Sequence, residues 1–190
     1  MSYRVFILLL LILLIGCSES KYSKLVKTEM AKNIVNDSLL FEMKFGQTKQ
    51  EFYDQCWKLN NKGLVTHGPN NNFVQYNLPN KEGDSSTVSI RMLFYGIFDE
   101  EKIMTGMDMQ FSYNGWSLWA ESLHSDKLIS VVKDSLESWY PGNGFIEVTP
   151  KKSKKDILVK VDGNRRIIIE PLINNKDVDV RIDDLRYILD

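Results

Sequence analysis

The sequence predicts an α+β fold in which two helices pack on antiparallel sheet. Three observations carry that prediction. Segments opening at Thr48 and Ser125 have helical apolar spacing with end signals, the stretches after each alternate apolar and polar residues, and Gly, Asn and Pro punctuate those stretches. Two arrangements stay open: tandem units, each a helix followed by about four strands, over 41–121 and 122–190, or one domain over 41–190.

The first helix follows Phe45-Gly46-Gln47-Thr48. Thr48 and Glu51 form a T-x-x-E capping box, each side chain accepting from the other's backbone N–H. Phe52, Cys56 and Leu59 share a face, with Tyr53 and Trp57 beside it, and Gly63 supplies the stop. Strands are expected at Phe73–Leu78, Ser86–Tyr95 and Lys102–Tyr113. Asn114-Gly115 is the strongest hairpin signal in the chain. A two-residue turn there pairs Tyr113 with Trp116, Phe111 with Leu118 and Met109 with Ala120, all on one apolar face.

A second helix, capped by Ser125 with Asp126 in its first turn, is expected to run to Tyr140 before Pro141-Gly142. Its buried stripe is Leu128, Ile129, Val132, Leu136, Trp139 and Tyr140. Strands return at Phe145–Thr149, Ile157–Val161, Arg166–Glu170 and Val178–Ile182, with a tight turn at Asp162-Gly163-Asn164.

The N-terminus has the layout of an export signal over residues 1–16. Arg4 is followed by the unbroken apolar run Val5–Ile15, too short to cross a bilayer as a helix but suited to the core of a secretory signal. The run ends at Leu14-Ile15-Gly16-Cys17, which resembles the lipobox of bacterial lipoproteins. That resemblance implies cleavage before Cys17, a thioether-linked diacylglycerol on its sulfur and, usually, acylation of the new amino group. Several chains make a stable membrane anchor where one does not. Ser18 follows, where the sorting rule of enterobacterial lipoproteins has Asp for inner-membrane retention, so the analogy implies the outer membrane. Residues 17–40 read as a tether, and the spacing of Leu25, Val26, Met30 and Ile34 admits one amphipathic helix within it.

Loss of the signal removes Arg4 and takes the net charge from −1 to about −2, a balance that gives no reason to expect a nucleic-acid partner. With Cys17 assigned to lipid, Cys56 is the single remaining thiol, so packing rather than a disulfide must hold the fold. No cofactor motif and no metal-ligand spacing is present in the sequence.

The stretch Phe45-Gly46-Gln47-Thr48-Lys49-Gln50-Glu51-Phe52 resembles the opening of the BamE/SmpA-like outer-membrane lipoproteins. The order of elements is similar to the tandem helix-plus-sheet units of the β-lactamase inhibitor protein. The resemblance covers residues 44–60 and the element order. It implies a non-enzymatic scaffold for contacts with another envelope protein, in assembly or inhibition, and implies no particular binding residues.

The chemistry-bearing residues are few. Cys56 with His67 is the one thiol–base pairing the sequence offers, but Cys56 falls on an apolar helix face, where cysteine behaves as a small hydrophobe. His124 has no evident partner. Asp177, Asp179, Asp183 and Asp184 read as a solvated strand face, because period-two spacing spreads carboxylates that calcium would need converging. Lys151, Lys152, Lys154 and Lys155 form the sharpest charge cluster, either a contact for an acidic partner or a solvated connection. In the expected hairpin Trp119 faces away from Trp116, either under a second core layer or as a binding platform. The leading expectation is a lipid-anchored, protein-binding, non-enzymatic module. The rivals are a glycan-binding accessory lipoprotein using Trp119 and a thiol-dependent hydrolase using Cys56.

Overall fold

The computed structural model describes residues 20–69, 72–79, 88–150, 156–172 and 174–189. Among the described residues, three α-helices accompany one eight-stranded antiparallel sheet, so the fold is α+β. The first helix, α1 (Lys21–Ala31), lies within the expected tether; Ser20 caps it, its side chain accepting from the Ser23 N–H. Then come α2 (Lys49–Asn61), β1 (Thr66–His67), β2 (Val74–Asn77), β3 (Ile90–Phe98) and β4 (Met104–Tyr113). The second half repeats that order with α3 (Ser125–Trp139), β5 (Ile146–Val148), β6 (Ile157–Asp162), β7 (Arg165–Pro171) and β8 (Val178–Asp184).

The capping box at Thr48 and Glu51 forms as expected, and Gly63 takes the left-handed conformation, φ +70°, that ends α2. The start of α3 differs from expectation. His124 occupies the cap position without a side-chain capping bond to the helix, while Ser125 is buried in the first turn. The Ser125 N–H instead donates to the Asn175 carbonyl at 2.9 Å, so a neighbouring loop satisfies a helix-end donor that a cap would otherwise serve.

The strand order is β1-β2-β3-β4-β8-β7-β6-β5. Helices α2 and α3 thus each precede a four-strand meander, and the two meanders join where β4 pairs with β8. That junction overturns the expected hairpin. Asn114-Gly115 does turn, with the Trp116 N–H on the Tyr113 carbonyl at 3.3 Å, but no strand returns from it. Both edges of β4 are already taken. Phe111 stands opposite Met92 and Val178, and Met109 opposite Phe94 and Val180. Turn chemistry is local, whereas strand pairing goes to the partner that buries more apolar surface.

Helices α2 and α3 cover one face of the sheet. A single apolar core runs beneath both, with Phe52, Phe94, Phe111, Leu128, Leu136, Ile167 and Ile169 fully buried. Lys160 is buried here too, its ammonium 2.9 Å from Asp162 and donating to the Asn143 carbonyl. Helix α1 lies against the opposite face. Val26, with Tyr22, Leu25 and Met30 beside it, packs on Val159, Val161 and Leu185.

The chain between α1 and α2 is stitched to the second meander rather than hanging free. The Asn36 N–H donates to Asn164 Oδ1 at 2.6 Å, Arg165 to the Ser38 carbonyl at 3.1 Å, and the Leu40 N–H to the Tyr140 hydroxyl at 3.1 Å. Arg186 joins Asp37 and buried Asp184, at 2.5 Å from each.

Candidate functional site

The face that α1 leaves uncovered holds a broad concavity of about 850 Å³, and its floor is the outward side of β4, β8 and β7. Period-two alternation builds it. On these strands Met107, Met109, Phe111, Val178, Val180, Ile182, Ile167 and Ile169 point to the helices. The intervening residues form rows across the strands: Asp108, Arg181 and Ile168 in one, Gln110, Asp179 and Glu170 in the next. Asp183 and Arg166 make the third pair.

Hydrogen bonds tie these groups together. Arg166 donates to Asp183 from Nη2 at 2.6 Å and from Nε at 3.1 Å, and to the Tyr22 hydroxyl of α1 at 2.6 Å. Arg181 Nε lies 3.0 Å from Asp183 and 3.7 Å from Asp108, and Gln110 donates to Asp179 at 3.0 Å. Burial would lower the Arg166 guanidinium, but its bonds to Asp183 and Tyr22 hold it above its ordinary value. Burial pushes both Asp108 and Asp179 upward; Arg181 opposes this at Asp108, and Gln110 at Asp179. Apolar groups rim this floor, among them Phe73, Ile97, Tyr187 and Ile188.

The acidic set is therefore not one solvated face. Asp179 lies on the open floor. Asp183 is buried under two arginines, Asp184 is fully buried against Arg186, and Asp177 is buried beside Asn174. Spacing along β8 alone hides these partners, because Arg166 reaches Asp183 from the neighbouring strand and Arg186 reaches Asp184 from just beyond the end of β8. Among the described residues, no group of three His, Cys, Asp or Glu is placed to hold a metal ion.

A second, smaller pocket of about 260 Å³ lies between α2 and the β1–β2 edge, and it brings Cys56 and His67 to one cavity. Burial pushes the Cys56 thiol up to about 12, which disfavours the thiolate a nucleophile needs. Tyr53 and Trp57 stand partly exposed at this pocket, and the Tyr53 and Tyr95 hydroxyls lie 2.7 Å apart.

Trp119 is 89% exposed and Leu118 61% exposed, so no second core layer covers them. Trp116 is half-buried, its Nε1 donating to the Asn175 carbonyl at 3.1 Å. His124 has a partner after all, with Nε2 3.3 Å from the Leu118 carbonyl and its ring 6.3 Å from that of Trp116. Cys17, Lys151, Lys152, Lys154 and Lys155, like the stretch 1–16 expected to be an export signal, lie outside the described residues. No helix among the described residues is long and apolar enough to cross a membrane.

The fold and these surfaces define an α+β protein with one helix-covered and one open sheet face. Comparisons with protein-family models, curated proteins and solved structures returned no match.

Proposed function

We propose that the chain is a bacterial lipoprotein, anchored through lipid on Cys17 to the outer membrane, whose domain binds another envelope protein without catalysing a reaction. The observation that carries this reading is the open sheet face. It is a broad, shallow floor of prearranged charges with apolar residues at its rim, the make-up of a protein-contact surface more than of a closed reaction chamber. Arg166 and Arg181 are held by Asp183, so they lose little freedom when a partner arrives. Glu170 and Asp179 offer carboxylates to basic groups of that partner.

The thiol-hydrolase reading has the least support, since burial disfavours the Cys56 thiolate that a nucleophile needs. Rapid labelling of Cys56 by a mild alkylating agent in the folded protein would bring it back. The glycan-binding alternative places its ligand on Trp119. It is tested by glycan-dependent quenching that vanishes in Trp119→Ala.

The main reading is tested by affinity recovery from gently solubilised membranes, with the lipidated wild-type chain beside a Glu170→Lys, Asp179→Lys double variant. One envelope protein enriched with the wild type and lost with the variant is the expected result. Equal recovery by both would move the binding surface elsewhere.

A further inference from the structure

The start of helix α1 and the loop around Trp119 sit at the same end of the domain, while the far end of α1, at Glu29, reaches the β6–β7 turn at the other. The register places the C-terminal end of β4, the start of β8 and the start of β6 together at that end. There the Asn175 carbonyl accepts from both Trp116 Nε1 and the Ser125 N–H, and His124 holds the Leu118 carbonyl. Lys21, the first residue of α1, lines one groove with Asp126 and Ile129 from the opening turns of α3 and with Thr149 and Asp156. The exposed pair Leu118 and Trp119 thus flanks the end at which the N-terminal segment enters the fold.

The segment expected to serve as a tether is largely consumed by folding. Tyr22 bonds Arg166, Glu29 accepts from the Gly163 N–H at 3.2 Å, and Asn36 bonds Asn164. Only four chain steps separate Cys17 from Lys21, a reach of at most about 14 Å. A domain tied so closely to its anchor cannot turn freely above the membrane.

From these two facts we propose that this end of the domain lies on the lipid bilayer, with Leu118 and Trp119 inserted at the headgroup boundary. The inference rests on the lipid anchor at Cys17. An exposed indole beside an exposed leucine is the side-chain set that settles at a membrane interface, and Lys176 stands over the ring of the neighbouring Trp116. The acyl chains supply the binding, and Trp119 sets the orientation. The opposite end, carrying Asp37, Asp99 and Tyr187, then points away from the bilayer.

The test uses the full lipidated chain in phosphatidylcholine vesicles, with and without acyl chains brominated near the headgroup. Tryptophan emission is read for the wild type, Trp119→Phe and Trp57→Phe, and mass spectrometry reads the lipid on Cys17. Quenching by brominated lipid in the wild type and in Trp57→Phe, lost in Trp119→Phe, is expected. A Leu118→Ser variant should keep the anchor and weaken the quenching. With Cys17 lipidated, absence of quenching, or equal quenching in Trp119→Phe, would overturn the inference alone. A Cys17 without lipid would overturn the anchor, and the inference with it.

Discussion

The two faces of the sheet are built by alternate residues of the same strands, yet they obey different physics. On the helix-covered face Met107, Met109, Phe111, Val180 and Ile182 vanish from solvent and form one core with both helices. On the open face Asp108, Gln110, Asp179, Arg181 and Asp183 satisfy one another through charged bonds and leave a floor that a partner can reach. The first face holds the fold together. The second costs the fold something at neutral pH, since burial pushes Asp108 and Asp179 above their ordinary values.

Substitutions should sort by face. Phe111→Ala, on the covered side, is expected to lose about 3–5 kcal/mol in urea unfolding, through lost burial and a cavity. Lys160→Ala should approach that loss by leaving Asp162 buried and unpaired, about 3–5 kcal/mol for a broken buried pair. The double change Lys160→Met, Asp162→Asn should recover most of it, which would show that the cost lies in the stranded charge. Asp183→Asn sits at the boundary. It weakens bonds to Arg166 and Arg181, with an expected loss of about 1–3 kcal/mol in the same measurement.

The pH response separates the faces more finely. A carboxyl raised above its ordinary 3.8, as Asp179 is, binds its proton more tightly in the folded chain. Its contribution is favourable below the unfolded value and is lost as pH rises through the folded one. Asp179→Asn, which keeps an acceptor for Gln110, should therefore raise the urea midpoint at neutral pH and leave it unchanged in acid. Glu29, in α1, behaves oppositely. Burial would raise it, but bonds from Lys32 and the Gly163 N–H hold it low, so its contribution is present at neutral pH and is lost on acidification through the folded value. Glu29→Gln should lower the midpoint at neutral pH and not in acid. Smallest of all, Glu170→Gln should stay within about 0.5 kcal/mol of the parent, as surface changes do, while weakening partner recovery.

Much of this was legible in the residues, and the misses have physical causes. Thr48 with Glu51, Gly63, the stripe of α3 and the alternation of β8 are local signals, and each appears in place. The pairing of β4 with β8 spans the two halves, and no local signal competes with Asn114-Gly115 for predicting it. Helix α1 was ambiguous because its apolar stripe is thin; it is the back of β6 that gives the stripe something to cover. The open face was misread as well. Asp179 and Asp183 were legible as a strand's wet side, with Arg181 on the same strand, but Arg166, which binds Asp183 most closely, arrives through register.

The most direct test of the account is site-specific photo-crosslinking in intact cells, with a photoreactive residue at Glu170 on the open face or at Lys133 on the outer side of α3. A discrete adduct with one envelope protein from position 170, absent from position 133, is the predicted result. An adduct from position 133 alone, or the same products from both positions, would contradict it.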